Sequence, residues 1–190
     1  MRLVLMGPPG AGKGTQAARL ADRLGVPAVS TGDIFRRNVS EGTELGREAQ
    51  RYMDAGDYVP DEVTNSMVRA RLAEDDAATG FLLDGYPRTV SQVDELDGML
   101  TDLGHELDAV VVLAVDTEEL VARLVKRAET EGRSDDTEDV VRRRQDVYGE
   151  QTAPLIDVYR DRGLLVEVDG MGDVDVVTKR LGDALDDQQG

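Results

Sequence analysis

With 190 residues, 40% of them hydrophobic, the chain has the size of one domain with a sizeable core. Its formal net charge of −17 repels nucleic acid polymers and argues against a nucleic-acid-binding role, while no apolar run approaches the ~18 residues that span a bilayer. Without cysteine there is no disulfide framework, thiol catalysis or thiolate metal site, and Met1-Arg2 leads straight into a short strand, so no signal peptide is expected and the cytoplasm is the expected compartment.

In chain order, Leu3-Val4-Leu5-Met6 predicts a strand and Gln16-Ala17-Ala18-Arg19-Leu20-Ala21 a helix, with Gly7-Pro8-Pro9-Gly10-Ala11-Gly12-Lys13-Gly14-Thr15 between them. A second short strand is predicted at Val26-Pro27-Ala28-Val29-Ser30, followed by Thr31-Gly32-Asp33 as the cap of a helix around Ile34 to Asn38. Residues 41–56 read as a further helical stretch ended by Gly56, and Pro60-Asp61 starts a helix to about Ala73. This block of helices without a strand, from about 30 to 60, reads as an insertion between strands. Gly80-Phe81-Leu82-Leu83-Asp84 is a buried strand by its continuous apolar character, and a helix follows from about 89 to 103. Asp108 to Val115 is the clearest strand and too apolar for a sheet edge. A helix is predicted from Thr117 to about Ala128, then a polar segment, 129–136, then a long helix from Thr137 to about Arg162 that Pro154 should kink or divide. Leu164 to Val168 is the last strand and 173–186 the closing helix. Alternating short apolar strands and helices imply an α/β fold, a parallel sheet covered on both faces.

Strand, glycine-rich loop, helix is the context a phosphate-binding loop requires. Glycines let successive backbone N–H groups turn around an anion, the helix adds its positive end, and Lys13 a mobile ammonium. Gly7, Gly12 and Lys13 satisfy the G-x-x-x-x-G-K spacing, but Gly14 follows the lysine and the hydroxyl falls one place later, at Thr15. Direct magnesium ligation by a hydroxyl, as in the commoner loop, is therefore not assumed. Asp84 ends a buried strand at the sheet edge where ligands bind, so it should face the phosphates through magnesium, via water; a helix cap or turn role is the alternative. Gly85-Tyr86-Pro87-Arg88 follows, with Gln92 four residues beyond Arg88 on one helical face, a turn suited to a second anionic ligand and its base.

Arginines recur. Arg123 and Arg127 lie four apart on one helical face, and Arg133 and Arg144 flank Asp135-Asp136. Salt bridges to the surplus carboxylates account for Arg142, Arg143 and most others; for the four just named, that reading and anion binding both stand. Phosphoryl transfer between two nucleotides makes sense of the set, because a monophosphate acceptor already brings an anionic oxygen and needs no general base. His105 lies far from every motif and reads as a surface turn residue.

Across nearly its whole length the chain resembles the adenylate kinases, in their short-lid bacterial form. The matching segments are the loop Gly7 to Thr15, Ser30-Thr31-Gly32-Asp33 with Arg36, and Asp84 to Arg88 with Gln92; then Arg123 and Arg127, Gly132 to Asp136, Arg144, Thr152-Ala153-Pro154 and Val168-Asp169-Gly170. The resemblance implies the P-loop nucleoside monophosphate kinase fold, with a five-stranded parallel sheet. It implies a core of 1–29, 60–125 and 137–190, a helical AMP-binding insertion at 30–59 and a short lid at 126–136. It implies magnesium-dependent interconversion of ATP and AMP with two ADP, serving adenine nucleotide homeostasis and purine salvage, in a monomer acting on no nucleic acid polymer and no membrane. On that likeness ATP would meet Gly10, Ala11, Gly12, Lys13, Gly14 and Thr15 by its phosphates, Arg127, and the backbone near Gly172 by its adenine. AMP would contact Thr31, Arg36, the backbone of Asp57, Tyr58 and Val59, the turn Gly85, Tyr86, Pro87 and Arg88, and Gln92. The catalytic set would be Lys13, Arg88, Arg123, Arg127, Arg133, Arg144 and Asp135, with Arg133 and Arg144 clamping the transferring group and reaching AMP.

The lid is too short for the extra strands or four-ligand zinc site of long-lid relatives, so no structural zinc is expected. Glu129 and Glu131 bring acids near the phosphoryl path, and Asp57 is an acid where only backbone is expected to contribute. Uridylate or cytidylate kinases are the nearest rivals; Thr31 with Gln92 resembles the adenine-reading pattern, where uridylate relatives tend to carry Ala in place of the threonine. A GTPase switch would need Asn-Lys-x-Asp, and no lysine here follows an asparagine; a DNA-handling ATPase would want a basic surface.

Overall fold

The computed structural model describes residues 1–116, 120, 124 and 137–188. Five parallel strands lie in the order β2-β3-β1-β4-β5: β1 Arg2–Met6, β2 Ala28–Ser30, β3 Phe81–Asp84, β4 Ala109–Ala114 and β5 Leu165–Asp169. The all-parallel sheet and the inner position of β4 are as the sequence implies. The chain winds outward from β1 to β2, returns through β3, and crosses to β4 on the other side of β1. The strand order thus reverses about β1, and the crevice for a ligand opens beyond the carboxyl end of that strand.

Both faces of the sheet are apolar and each carries helices, because successive side chains of a strand point opposite ways. Leu3 and Leu5 of β1, Leu82 of β3 and Val111 and Leu113 of β4 join Ala17 and Leu20 of α1 (Lys13–Leu24) and Val177, Leu181 and Leu185 of the closing helix (Val174–Asp187). Val4 and Met6, Phe81 and Leu83, and Val110 and Val112 face the other side. There they meet Val68 and Leu72 of α4 (Asp61–Leu72), Val93 and Leu96 of α5 (Val90–Asp102), and Leu155 and Tyr159 of α7 (Leu155–Asp161). The alternation along β1 alone therefore divides the core into its two layers.

Between β2 and α4, α2 (Thr31–Glu41) and α3 (Glu44–Ala55) make a third, smaller cluster of Phe35, Ala49 and Val59. Two details differ from expectation. The cap of α2 is Ser30, whose hydroxyl accepts from the Asp33 N–H at 3.3 Å, so the helix starts at Thr31. The stretch from 41 breaks at Gly42, and Thr43 starts α3 afresh by accepting from the Gly46 N–H at 3.0 Å.

The predicted long helix is divided, as Pro154 requires. α6 (Glu138–Val147) passes into a π-helical turn, Tyr148–Thr152, in which the Ala153 N–H reaches back to the Tyr148 carbonyl at 2.8 Å, and α7 begins after the proline. Proline cannot donate and crowds the preceding turn, and the widened turn absorbs both effects. The predicted segment 126–136 and, apart from Leu120 and Leu124, the helix predicted from Thr117 lie outside the described residues. His105 sits at the turn after α5, its N–H bonded to the Leu100 carbonyl at 2.8 Å, away from the crevice.

Candidate active site

A cleft of about 950 Å³ opens at the carboxyl ends of β1 and β3, where Leu5 and Asp84 stand side by side in register. Its floor is the glycine-rich loop. Lys13, first residue of α1, folds its ammonium over the loop and donates to the carbonyls of Gly7 at 2.7 Å and Pro8 at 3.0 Å. Gly10, Gly12, Gly14 and Thr15 line the cleft with it, and the first turn of α1 holds no acid to oppose an anion. At Gly10 only glycine serves: φ is +90°, and a Cβ would stand 2.9 Å from Leu124 Cγ and 3.1 Å from the Leu120 carbonyl. Ala11 is placed differently from its neighbours, its methyl buried in the core and its N–H closed onto the Pro8 carbonyl at 3.1 Å. An anchor from outside the loop was not foreseen: Gln145 of α6 donates its side-chain amide to the Pro9 carbonyl at 2.9 Å.

Asp84 ends β3 beneath this loop and is only 8% exposed. Burial pushes its carboxyl above the ordinary range; the charges of Lys13 and Arg88 pull it back down, and Asp33 adds to the rise. Among the described residues no group of three or more Asp, Glu, His or Cys is placed to hold a metal ion. One buried carboxylate beside a phosphate loop is instead the donor set for an ion that keeps most of its waters and arrives on phosphates, and Mg²⁺ fits that description.

A second wall is the turn Gly85 to Arg88, whose Tyr86–Pro87 bond is cis. The Gly85 carbonyl accepts from the Thr31 hydroxyl at 3.0 Å and from Arg88 Nε at 2.7 Å, and a Cβ on Gly85 would stand 2.8 Å from both the Thr31 hydroxyl oxygen and an Arg88 nitrogen. The Arg88 guanidinium lies 4.8 Å over the Tyr58 ring. The Thr152 hydroxyl donates to the Arg88 carbonyl at 2.8 Å, so its lone pair takes the Tyr58 phenol at 2.7 Å. Tyr86 turns its ring into the core, its hydroxyl bonded to Asn65 at 2.8 Å, leaving its backbone to the cleft. Gln92, 2% exposed, accepts from the Arg88 N–H at 2.7 Å and donates to Asp61 at 2.6 Å.

Around this wall, Arg36 pairs with Asp33 while lining the cleft, and Asp57, Tyr58, Val59, Arg144 and Gly172 line it as well. The Asp57 carboxylate takes Arg143 Nε at 2.7 Å, and Arg142 pairs with Glu138, so both arginines are surface ion pairs as the composition led one to expect. Arg123, Arg127, Arg133 and Asp135 lie outside the described residues. Three residues of the site were not singled out for a role. Thr152 stands in a segment that carries the resemblance, Asp61 read only as a helix start, and Gln145 carries no signal at all.

A parallel sheet reversing about its first strand, a lysine-bearing phosphate loop on that strand, and an arginine turn on its neighbour define the chain as a P-loop nucleoside monophosphate kinase. The family model described as Adenylate kinase matches residues 5–164. An adenylate kinase from Nocardioides sp. is 68% identical over 186 residues, 98% of this chain and 97% of the relative. Those from Kocuria rhizophila and Thermobifida fusca are 63% and 61% identical, each over 97% of this chain and 98% of the relative. The chain belongs to the adenylate kinase family, whose reaction is phosphoryl transfer between ATP and AMP.

Proposed function

We propose that this chain moves the γ-phosphoryl group of Mg-ATP to AMP and back, with the described cleft holding both nucleotides. The observation that carries this reading is the placing of Lys13 and Arg88 in one cleft, each acting on the buried Asp84 carboxyl. In the forward direction an α-phosphate oxygen of AMP forms a bond to the γ-phosphorus. The bond from that phosphorus to the β,γ-bridging oxygen breaks, and its electron pair stays on the β-phosphate of the departing ADP. The acceptor oxygen is already ionised, so the chain needs no general base, which suits a cleft lined by cations rather than histidine.

The residues then divide the work. Amides of the loop and the Lys13 ammonium hold the ATP phosphates, and the ammonium leaves the Gly7 and Pro8 carbonyls to do so. Asp84 would hold the magnesium that the family uses with ATP, through water, and the ion would offset charge on the transferring group. Arg36, Arg88 and Arg144 hold the AMP phosphate, while Thr31, the backbone of 57–59 and Gln92 meet its base. The backbone near Gly172 meets the ATP adenine. Arg123 would meet the phosphoryl group from the core, Arg127, Arg133 and Asp135 would come over it with the lid at 126–136, and the insertion at 30–59 would close from the other side, excluding water. We further propose a cytoplasmic monomer; among the described residues no helix is long and apolar enough to cross a membrane.

A coupled assay offering ATP with AMP, UMP, CMP or GMP in turn tests the assignment. Turnover with AMP is expected to exceed the rest by ~100-fold or more, as a site built to bond a base edge rejects a base that leaves it unpaired. Comparable rates with UMP or CMP would overturn it.

A further inference from the structure

The wall that carries Gln92 contains a closed ring of hydrogen bonds whose direction is fixed at every link. Gln92 Nε2 donates to Asp61 Oδ1 at 2.6 Å, and Thr89 donates its hydroxyl hydrogen to Asp61 Oδ2 at 2.9 Å. The Thr89 oxygen accepts from the Gln92 backbone N–H at 3.2 Å, and Gln92 Oε1 accepts from the Arg88 backbone N–H at 2.7 Å. A carboxylate only accepts and a peptide N–H only donates. The Gln92 amide is therefore held from both ends. Turned by 180°, it would set its oxygen against the Asp61 carboxylate and its NH₂ against the Arg88 N–H, two repulsive contacts in place of two bonds at a residue that is 2% exposed.

We propose that Asp61 is a positioning residue that fixes the orientation of the Gln92 amide, and through it makes the acceptor site select a 6-aminopurine over a 6-oxopurine. The proposal rests on the reading of Gln92 as the group that meets the acceptor base. Each end of the amide keeps one further bond to make, a second hydrogen on Nε2 and a second lone pair on Oε1. A 6-aminopurine offers a lone pair at N1 and hydrogens at its amino group, which suit that edge. A 6-oxopurine offers a hydrogen at N1 and lone pairs at O6, the reverse pattern. An amide free to turn would serve either base; one held between a carboxylate and a peptide N–H serves one. Asp61 does this from the first turn of α4, on the side of Gln92 turned from Arg88, so it acts through Gln92 rather than on the nucleotide.

The test compares AMP with IMP as acceptor, at saturating Mg-ATP, in the wild type, Asp61→Asn and Gln92→Ala. Asparagine fills the same space but can either give or accept, so it tolerates both settings of the Gln92 amide. Asp61→Asn is expected to keep kcat with AMP within ~3-fold while lowering the AMP:IMP ratio of kcat/KM by ~10-fold or more, chiefly by raising kcat/KM for IMP. The KM for ATP should not move, which separates orientation from a general loosening of the fold. Asp61→Ser, with a hydroxyl that also gives or accepts, carries the same expectation if the asparagine variant does not fold. If Gln92→Ala lowers the AMP:IMP ratio and neither Asp61 variant does, the positioning role is overturned and the reading of Gln92 stands. If Gln92→Ala leaves the ratio untouched, the base is met elsewhere and both fall.

Discussion

The phosphate loop and the acceptor turn end neighbouring strands, β1 and β3, yet they are built in opposite ways. From Gly7 to Thr15 the contacts end on main-chain carbonyls: a lysine resting on those of Gly7 and Pro8, the Ala11 N–H closed on Pro8, and a side-chain tether from Gln145 to Pro9. From Gly85 to Gln92 the bonds run through directed side chains, Thr31 donating to the Gly85 carbonyl, Thr152 to the Arg88 carbonyl, and Gln92 and Thr89 both to the Asp61 carboxylate. Backbone amides around a cation read charge and little else, and they are free to re-form around whichever phosphate arrives. A network of directed bonds reads the pattern of a base edge, because each member's polarity is set by the next. On the proposed function one wall of the cleft would thus serve a class of ligand and the other a particular one.

The largest effect should come from cutting the cation out of the directed wall. Arg88→Ala is expected to lower kcat at least ~100-fold, as loss of one transition-state charge does. It should do so with a smaller change in the KM for ATP, measured by initial rates with each nucleotide varied. The Tyr58 ring under the guanidinium and the Thr152 hydroxyl on its carbonyl set where that charge stands. An equal rise in the KM for both nucleotides would place Arg88 on neither wall in particular and would weaken the contrast between them.

Asp84 stands where the two walls meet, and its predicted effects have opposite signs. Its folded-state carboxyl is raised by burial, against the pull of Lys13 and Arg88, so folding is favoured by its protonated form. That contribution is complete below the ordinary carboxyl pKa of ~3.9 and is lost as pH rises through the higher folded value. Asp84→Asn should therefore raise the melting temperature of the nucleotide-free protein at neutral pH in EDTA, with no gain in acid, as calorimetry across pH would show. The same change should lower kcat by ~10-fold or more and increase the Mg²⁺ needed for half-maximal rate. A melting temperature that does not rise would mean the carboxylate is not held at a cost for function.

Much of this was legible in the chain because it is written in local pattern. The loop spacing, the apolar runs of β1, β3 and β4, and the breakers Gly56 and Pro154 each act within a few residues, so strand, loop and break could be read directly. What could not be read is what depends on residues far apart meeting. Asp61 looks like any acid in a first helical turn until α4 and α5 bring it 2.6 Å from Gln92. Gln145 anchors a loop 136 positions away. Thr152 faces Arg88 from just beyond a π-helical turn, which no periodicity of 3.6 foresees. Ser30 in place of Thr31 as the cap of α2 is a smaller miss of the same local kind, settled by which hydroxyl reaches the Asp33 N–H.

The gentlest test exchanges the nucleotides themselves rather than the residues. On the proposed donor side the described lining of the cleft includes Gly172, Asp173 and Val174, and several polar groups beside it are already engaged. Gln16 donates to the Val174 carbonyl at 3.0 Å, Arg180 to the Met171 carbonyl at 2.6 Å, and the Met171 N–H to Asp169 at 2.9 Å. A base met mainly by main chain, with its triphosphate gripped by amides and Lys13, is discriminated weakly. On the proposed function the acceptor base would meet Gln92, whose amide Asp61 holds. GTP in place of ATP should therefore cost no more than ~10-fold in kcat/KM, the order a pocket without committed polar partners gives, while GMP in place of AMP costs at least ten times that. Both are measured with the other nucleotide saturating. If the two substitutions cost the same, the donor base is read as strictly as the acceptor base, and the difference in construction between the walls does not carry over into selectivity.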